Sequence, residues 1–342
     1  MNTKKLTLKD VAEKLGVSTA TISNAFNRPD QLSAAKREEI LAACTEIGYE
    51  GPNKAAQSLR KGQTNIIALV LADSIEYIVS DPVASTFIKG VSSTLQQHNK
   101  HLLLYAGDAK SIRDISDFVD GFICYGAPEN EKLGGELKRV NKPVVTADFN
   151  IEGRPSVNID NEQAAYDIAY KALESDDKVA ILGLRLIDSH TTCRIYDEAL
   201  FDVERSVSHR RLDGYLRAIK DKGITISNDL IWHIPQSGGQ YSSQAAKEVL
   251  TSHPLPDTII CMSDLIALEV LQLALRMNIK VPEQLKITGF DGIDEVKRTH
   301  PNMATVCQSS EQKGVLAARM LLQNETQSQV LSYEIHCGET LR

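Results

Sequence analysis

The sequence lacks a long apolar run: its longest uninterrupted apolar stretch, Ile66 to Ala72, is far short of the roughly 20 residues that a membrane-spanning helix needs. The N-terminus, MNTKKLTLKD, has no apolar segment behind its lysines, so no export signal is predicted. The six cysteines contain no Cys-x-x-Cys pair, which indicates neither a disulfide framework nor a zinc knuckle. We therefore expect a cytoplasmic protein with reduced thiols and no membrane partner.

The sequence also lacks the motifs of common enzyme classes. There is no G-x-G-x-x-G after the first predicted strand, no G-x-x-x-x-G-K-[ST], no H-E-x-x-H and no G-x-S-x-G. The eight histidines are scattered along the chain, and a lone histidine is more often a polar filler than a base. We expect no catalytic residues, no metal and no resident cofactor. A cytosolic α/β enzyme is the alternative, but no nucleophile or phosphate loop supports it.

The chain is long enough for more than one domain, since its 342 residues exceed the usual size of one. Its charge also differs between two parts of the sequence. Residues 1–62 carry ten Lys and Arg against seven Asp and Glu, a net +3, whereas the remainder carries 28 against 38, a net −10. Because an acidic body is repelled by phosphates, only the basic head is expected to meet a polyanion. This asymmetry points to nucleic acid.

The head has the pattern of a helix-turn-helix. LKDVAEKLGVSTATISNAFN, starting at Leu8, spaces its first apolar residues as a helix does and then turns at Gly16. Ser18 is placed to cap the second helix. A third helix, capped by Ser33, runs to Gly48 and closes a three-helix core. We assign residues 1–51 to this head.

The outward face of the second helix carries small polar side chains, which suit close approach to DNA. A solvated helix face, the alternative, is usually rich in Glu and Lys, which form helices better than Thr, Ser and Asn do. Asn24 offers both a donor and an acceptor, and Ala20 is small enough to contact a thymine methyl group. The predicted base readers are Thr19, Ala20 and Asn24. The predicted phosphate contacts are Ser18, Thr21, Ser23, Asn27 and, beyond the head, Lys54.

A short linker helix follows the head in YEGPNKAAQSLRKGQT, between Pro52 and Gly62. A helix of this length is marginal alone in water, so we expect it to form only when something packs on it. DNA can supply that surface. A plain linker with one buried leucine is the alternative. Residues 52–62 are therefore predicted to be a hinge helix and linker.

From residue 63 onward, apolar strands alternate with amphipathic helices. The predicted strands are IIALVLA, HLLLYAG, GFICYG, PVVTAD, VAILGL, IWHI, TIICM and KITGFD. Apolar strands separated by helices indicate parallel sheets. Their number predicts two doubly wound α/β halves with a ligand cleft at the carboxyl ends of the strands.

TLKDVAEKLGVSTATISNAFN followed by PNKAAQSLRKGQT resembles the lac-repressor family of bacterial regulators, and the resemblance continues to the C-terminus. It implies that the hinge helix folds on the operator, where Leu59 wedges open the central base step and Ala56 lies in the minor groove. It also implies a body similar to periplasmic sugar-binding proteins, with the chain crossing between the halves three times. We place these crossings near 158–162, 291–295 and 324–328. The N-subdomain then comprises about 63–160 and 292–324, and the C-subdomain about 161–291 and 325–342.

Arg211 is the first candidate ligand residue of the cleft. It lies in RRLDGY, which matches the family's R-L-x-G-Y at the opening of a helix whose arginine grips ligand oxygens. A surface salt bridge is the alternative. Asp291, in GFDGID, matches the carboxylate of the family's G-F-D-D, although Gly292 replaces the second acid. Ser263 stands where many members have Asn or Ser, while Asp264 is expected to cap the next helix.

Two further carboxylates complete the candidate ligand set. Asp81 precedes Pro82 and a helix, so it is either an N-cap or a ligand contact. Asp148 ends the strand PVVTAD, where it either faces the cleft or forms an Asx turn. A carboxylate and arginine pair suits a polyol ring, so a sugar or a nucleoside is the favoured small-molecule effector.

These features together predict a transcriptional repressor that binds operator DNA and responds to a small ligand. A solute-binding receptor for transport shares the body but has no use for the head. The chain stops at HCGETLR without an appended leucine heptad, so we expect a homodimer, which would bind a pseudo-palindromic operator.

Overall fold

The computed structural model describes residues 6–51, 62–128, 130–196 and 206–341. The chain forms two compact units, Met1–Asn65 and Ile66–Arg342. They are termed the head and the body.

Residues 6–51, the part of the head that the structure describes before the linker, form three helices, as the periodicity predicted. They are α1 (Leu8–Leu15), α2 (Thr19–Asn27) and α3 (Ala34–Glu46), with a turn of 3-10 helix at Pro29–Gln31. Gly16 ends α1 in the left-handed conformation, with φ 63°, a geometry that glycine adopts without steric cost. The three helices share a core of Val11, Ala12, Ile22, Ala25, Ile40, Cys44 and Tyr49.

Side-chain caps fix where the head helices begin. The Thr7 hydroxyl accepts a hydrogen bond from the Asp10 N–H at 3.3 Å, and the Thr7 N–H donates to the Asp10 carboxylate at 2.9 Å, which completes a capping box. Ser18 caps α2 and Ser33 caps α3, each by accepting from a backbone N–H three residues later. The helix starts are therefore set locally by the sequence.

The body alternates strands and helices along the chain. Its helices are α4 (Ile75–Ser80), α5 (Pro82–Gln97), α6 (Arg113–Ser116), α7 (Glu131–Arg139), α8 (Asn161–Ala172), α9 (Val207–Asp221), α10 (Gly239–Leu250), α11 (Asp264–Arg276) and α12 (Ser310–Gln323). Its strands are β1 (Ile66–Leu71), β2 (His101–Tyr105), β3 (Gly121–Tyr125), β4 (Val144–Ala147), β5 (Ser156–Ile159), β6 (Val179–Leu184), β7 (Cys193–Arg194), β8 (Ile231–Ile234), β9 (Thr258–Cys261), β10 (Lys286–Thr288), β11 (Thr305–Cys307), β12 (Gln329–Leu331) and β13 (Glu334–His336). None of the helices in these described ranges has the length and apolar character needed to cross a membrane.

Two separate sheets make the body a two-lobed α/β structure and confirm the predicted fold class. The first sheet has the order β12-β5-β4-β3-β1-β2 and is parallel throughout. The second has the order β10-β9-β6-β8-β7, in which only the short β7 runs antiparallel. We term the lobe around the first sheet the N-lobe and the lobe around the second the C-lobe.

Helices cover both faces of the N-lobe sheet. Ile67, Leu69 and Leu71 of β1 join the core under α5 and α12, whereas Ala68 and Val70 join the core on the opposite face. Helices α5 and α12 approach closely at two glycines: a Cβ on Gly90 would lie 2.1 Å from a backbone oxygen of α12, and one on Gly314 would lie 2.2 Å from a backbone oxygen of α5. This contact seats the returning helix α12 in the N-lobe.

The chain crosses between the lobes at three places, two of them later than the sequence-based positions. The first crossing lies at Asp160, between β5 and α8. The second was placed near 291–295 but lies at 308–309, because Ile293, Val296 and Met303 are still packed in the C-lobe core. The third was placed near 324–328 but lies near 332, because β12 pairs with β5. The N-lobe thus comprises 66–160 and 308–331, and the C-lobe 161–307 and 332–341.

Candidate functional site

The exposed face of α2 presents the three predicted base readers. Thr19 and Ala20 are exposed and Asn24 is half-buried, while Ile22 and Ala25 on the opposite face are buried in the head core. The Asn24 side-chain amide makes no hydrogen bond within the described residues, so its donor and acceptor remain available to a partner. The side chains of this face are therefore small and polar, as a major-groove contact requires.

The predicted phosphate contacts on α2 are tied to the helix itself. The Ser18 Oγ accepts from the Thr21 N–H at 3.0 Å, and the two hydroxyls lie 2.8 Å apart. The Asn27 side-chain Nδ2 donates to the Ser23 carbonyl at 3.1 Å. These bonds hold the side chains in place and leave part of the hydrogen-bonding capacity of each hydroxyl free. Their contact with phosphate stays a prediction.

Sequence reasoning missed two features that support this face. Arg37 of α3 donates through Nε to the Ala25 carbonyl at 2.9 Å, and Phe26 meets Tyr49 edge-to-face at 5.8 Å between ring centroids. Both contacts pin α2 to the rest of the head. Arg28 lies exposed directly after α2, where a permanent positive charge suits phosphate binding. The signal for it was an arginine next to the polar stripe.

The remaining predicted DNA contacts, Lys54, Ala56 and Leu59, lie outside the described residues. Their roles in the hinge stay predictions.

Arg211, in the first turns of α9, is buried rather than a surface ion-pair residue. Its side chain is 8% exposed. Nε donates to Asn161 Oδ1 at 3.0 Å, and Nη1 donates to the Met262 carbonyl at 2.8 Å. The guanidinium carbon lies 3.6 Å from the centroid of the Phe290 ring, a cation–π contact. Nη2 makes no hydrogen bond within the described residues, so this nitrogen of the guanidinium can donate to a ligand oxygen.

Asp291 pairs with Arg211 in the C-lobe. Its Oδ1 lies 3.5 Å from Arg211 Nη1 and accepts from Gln308 Nε2 at 2.7 Å. Burial raises the pKa of Asp291 well above its usual range, while Arg211 opposes the rise. The residue adopts φ 125°, which is unusual for a non-glycine residue and marks a constrained position.

Ser263, and not Asp264 as the sequence suggested, caps the helix α11. Ser263, expected at the cleft edge, is 3% exposed and caps α11 by accepting from the Ile266 N–H at 3.3 Å. Asp264 does not act as the cap: it accepts from Thr305 Oγ1 at 2.6 Å and from the N–H groups of Gly292 and Ile293 at 2.7 and 2.9 Å. Burial raises the pKa of Asp264 to about 6. Asp264 therefore anchors the segment after β10.

Asp148 is held by a lysine that sequence reasoning missed. It follows β4 with φ 56°, and Lys313 Nζ lies 2.8 and 2.7 Å from its two carboxylate oxygens. The Lys313 side chain is 1% exposed, and its ammonium also donates to Gln308 Oε1 at 2.9 Å. Three acceptors thus satisfy the three donors of a buried ammonium. The only sequence signal was a lysine at a core position of α12.

Gln308 joins the two ion pairs across the second crossing. Its amide oxygen accepts from Lys313 in the N-lobe, and its amide nitrogen donates to Asp291 in the C-lobe. A continuous polar chain therefore runs from Asp148 to Arg211. Such a chain connects the groups that face the cleft to the segment about which the lobes would move.

Asp81 has the first of the two roles considered for it, the helix cap. It caps α5 by accepting from the Val83 N–H at 2.9 Å, with Pro82 at the first helical position. Burial raises the pKa of its carboxyl, whereas the charges of Arg185 and Arg211 lower it, so this N-lobe carboxylate faces two C-lobe arginines. Tyr125, at the end of β3, is half-buried, and the carboxylates of Asp148, Asp81 and Asp291 act with its burial to raise the pKa of its hydroxyl. Ligand contact by these side chains remains a prediction.

Two cavities flank this charged centre. A groove of about 1150 Å³ runs along the starts of α5 and α12 and past the second and third crossings, and Asp291 contributes to its wall. A smaller cavity of about 260 Å³ lies at the other side, between Ala72, Asp73 and Ala127 of the N-lobe and Arg185, His190 and Tyr241 of the C-lobe. The space between the lobes therefore extends from the crossings to the opposite edge.

Two family models match the sequence. The model described as "Bacterial regulatory proteins, lacI family" matches residues 7–53, and the model described as "Periplasmic binding protein-like domain" matches residues 198–331. The first covers the helix-turn-helix and the second covers much of the two-lobed body.

Three known proteins show the extent of the similarity. The chain is 32% identical to the HTH-type transcriptional regulator Rv3575c of Mycobacterium tuberculosis, over 93% of this chain and 91% of that protein. It is 30% identical to the HTH-type transcriptional repressor CytR of Escherichia coli K12, over 92% and 89% of the two chains. Its fold matches the lac repressor dimer bound to operator and the anti-inducer ONPF, with a TM-score of 0.72 at 19% identity over 98% and 99%.

Proposed function

Because the chain belongs to the lacI family of DNA-binding bacterial transcriptional regulators, we propose that it is a repressor that binds a pseudo-palindromic operator as a homodimer and is controlled by a small molecule. The proposal rests on one observation: the same chain has a polar, exposed face on α2 and a two-lobed body. The cleft between the lobes has polar groups that can bind a ligand. Those groups are Arg211 Nη2 and the Asp81 carboxylate.

DNA binding by the head is supported by charge and shape. Thr19 and Ala20 are exposed on α2 and Asn24 is half-buried on the same helix, and the residues that would meet phosphate flank them in the sequence. Phosphate contacts supply most of the affinity and base contacts supply the specificity. The head therefore reads one half-site in the major groove, and a second copy of the chain reads the other.

A sugar or a nucleoside is the effector class that the cleft favours. Arg211 offers a donor from the C-lobe, and Asp81 offers an acceptor from the N-lobe. Ring hydroxyls both donate and accept, so one polyol ring can bond both lobes at once. A ligand that contacts both lobes favours one lobe arrangement over another, which is the requirement for control of the DNA-binding state.

The protein acts in the cytoplasm, where its DNA is, and needs no resident cofactor or catalytic group for this role. A transport receptor would share the body but would have no use for the α2 face. The proposed function therefore predicts that DNA affinity resides in the head and ligand affinity in the body.

A salt-titrated mobility-shift assay tests the DNA-binding part. The intact chain and the body alone, residues 63–342, are compared on DNA selected from a random library by the intact chain. We expect specific binding only by the intact chain, with affinity that falls steeply as salt rises because bound counterions are released. Equal binding by the truncated body would contradict the assignment of the head.

A thermal-shift screen over sugars and nucleosides tests the effector. A ligand at about one hundred times its Kd adds about 2.7 kcal/mol of stability to the state that binds it. The Arg211→Ala variant serves as the matched control, since it removes the open donor. A hit that stabilises both proteins equally would place the ligand elsewhere.

A further inference from the structure

Two residue pairs join the lobes through polar contacts at the edge opposite the chain crossings, and in one of them the Ser237 N–H also donates to the Tyr77 hydroxyl at 3.4 Å. Arg185, directly after β6 of the C-lobe, pairs through Nη2 with the carboxylate of Asp73, which follows β1 of the N-lobe. The Tyr77 hydroxyl of α4 in the N-lobe lies 3.1 Å from the Ser237 Oγ of the C-lobe. The Asp73–Arg185 pair and the Tyr77–Ser237 pair each connect parts of the chain that are more than one hundred residues apart.

Strand order shows why the position of these contacts matters. In the N-lobe the chain crosses beside β5 and β12, which lie at one edge of the sheet, whereas Asp73 follows β1 toward the other edge. In the C-lobe the second crossing follows β10 and β11, whereas Arg185 and Ser237 follow β6 and β8. Opening about the crossings therefore moves this edge the farthest, and contacts here oppose opening most effectively.

Arg185 is held so that it can reach across the gap. Its backbone has φ 52°, in the left-handed region that non-glycine residues rarely occupy. Its N–H donates to the Ile234 carbonyl at 2.9 Å, and its Nε donates to the Pro235 carbonyl at 3.0 Å. The guanidinium also lies 5.4 Å from the centroid of the Tyr77 ring. The side chain is thus fixed on the C-lobe while its free end contacts two N-lobe residues.

The contacts are placed to respond to a ligand. Asp73 and Arg185 line the 260 Å³ cavity between the lobes, so a molecule in that cavity lies against them. The Arg185 side chain is 41% exposed, and an ion pair with that much solvent is weak enough to be broken and remade. A few such contacts suffice to bias two lobe arrangements of similar free energy.

We propose that Asp73, Tyr77, Arg185 and Ser237 form an interlobe latch that holds the cleft closed. The latch determines the fraction of molecules in which the two lobes are closed. An effector acts by changing this fraction. The latch goes beyond the proposed function, because it concerns the lobes alone and requires neither a known effector nor a known operator.

Distance measurement by pulsed electron resonance tests the latch in the full-length protein. Spin labels on ketone-bearing residues, introduced at the exposed positions Asp108 in the N-lobe and Gln240 in the C-lobe, leave the native cysteines unlabelled. Dilution with unlabelled chain restricts the signal to distances within one chain. We expect a major population at the structure's distance and a minor longer-distance population for the unaltered latch, and at least a doubling of the longer-distance population in Arg185→Ala and in Tyr77→Phe.

Three comparison variants make the result specific. Asp73→Arg should open the cleft, and combining it with Arg185→Asp should restore the closed distance by reversing the ion pair. Lys138→Ala breaks the pair with Glu152 inside the N-lobe and should leave the distances unchanged.

An already open distribution in the unaltered protein would overturn the latch. So would a closed distribution that persists in both Arg185→Ala and Tyr77→Phe, or an opening by Lys138→Ala as large as theirs. Tyr77→Phe removes one hydroxyl from a surface helix, so it keeps the test decisive if Arg185→Ala fails to fold.

Discussion

Breaking the buried pair between Lys313 and Asp148 should destabilise the body far more than breaking a surface pair. In Lys313→Met the ammonium is lost and the side-chain volume is nearly kept. The Asp148 carboxylate, 12% exposed, then loses the ammonium that donates to both of its oxygens, and Gln308 Oε1 loses its donor. Removing one partner of a buried ion pair costs about 3–5 kcal/mol.

The two partners should not be equivalent. Lys313 is 1% exposed, whereas Asp148 is 12% exposed. A carboxylate left alone can be reached by water more easily than an ammonium left alone at the core position. We therefore expect Lys313→Met near the lower end of that range and Asp148→Asn near the upper end. The double variant, which buries no unpaired charge, should cost about 2–3 kcal/mol less than the sum of the two single variants.

Urea unfolding at neutral pH, followed by far-ultraviolet circular dichroism, measures these differences. The fluorescence of Trp232, buried in the C-lobe, reports whether both lobes unfold together. Lys138→Met is the matched control: it removes an ammonium from the exposed pair with Glu152 and should cost less than about 1 kcal/mol. A Lys313→Met cost no larger than the control's, or strict additivity in the double variant, would refute the reasoning.

Four further results are expected. Asn24→Ala should change base preference at one symmetric pair of operator positions in a binding selection; equal weakening on all sequences would make Asn24 a phosphate contact. Arg211→Ala should abolish the ligand response while operator affinity is retained, and loss of operator binding by well-folded protein would make Arg211 structural. Burial raises the pKa of Asp264 from its ordinary 3.8 to about 6, so its contribution to stability is present below pH 4 and is lost as pH rises through 6; Asp264→Asn should reduce this fall in urea titrations, Asp291, whose pKa burial also raises, should retain part of it, and an unchanged pH profile would contradict the prediction. Leu59→Ala should reduce operator bending, measured by circular permutation of the site, and leave the melting temperature unchanged; lowered melting with an unchanged bend would make Leu59 a linker residue.

The head was predictable because its determinants are local. The spacing of Val11, Ala12 and Ile22, the turn at Gly16 and the cap at Ser18 all act within about a dozen residues. Helix periodicity and capping are read directly from such short stretches. The eight predicted strands were found for the same reason, since each is a compact apolar run.

The crossings and the polar chain depend on contacts that a single sequence does not display. The late second crossing follows from the packing of Ile293 and Met303 against the C-lobe, and β11 and β12 are only three residues long. Lys313 reaches a carboxylate 165 residues away. The helix cap fell on Ser263 instead of Asp264 for another reason. Both residue types begin helices well, and only the hydrogen bonds of Asp264 to Thr305 and to the backbone after Asp291 show that Asp264 has a different role.

Footprinting of the intact chain on its selected DNA is the most direct test of the central claim, which is that a dimer of this chain reads DNA through α2. We expect two symmetric protected half-sites. The major-groove contacts of both half-sites should be lost together when Asn24 is replaced, and the occupancy of both should fall as salt rises. A single asymmetric half-site, or protection that persists with the body alone, would contradict the claim.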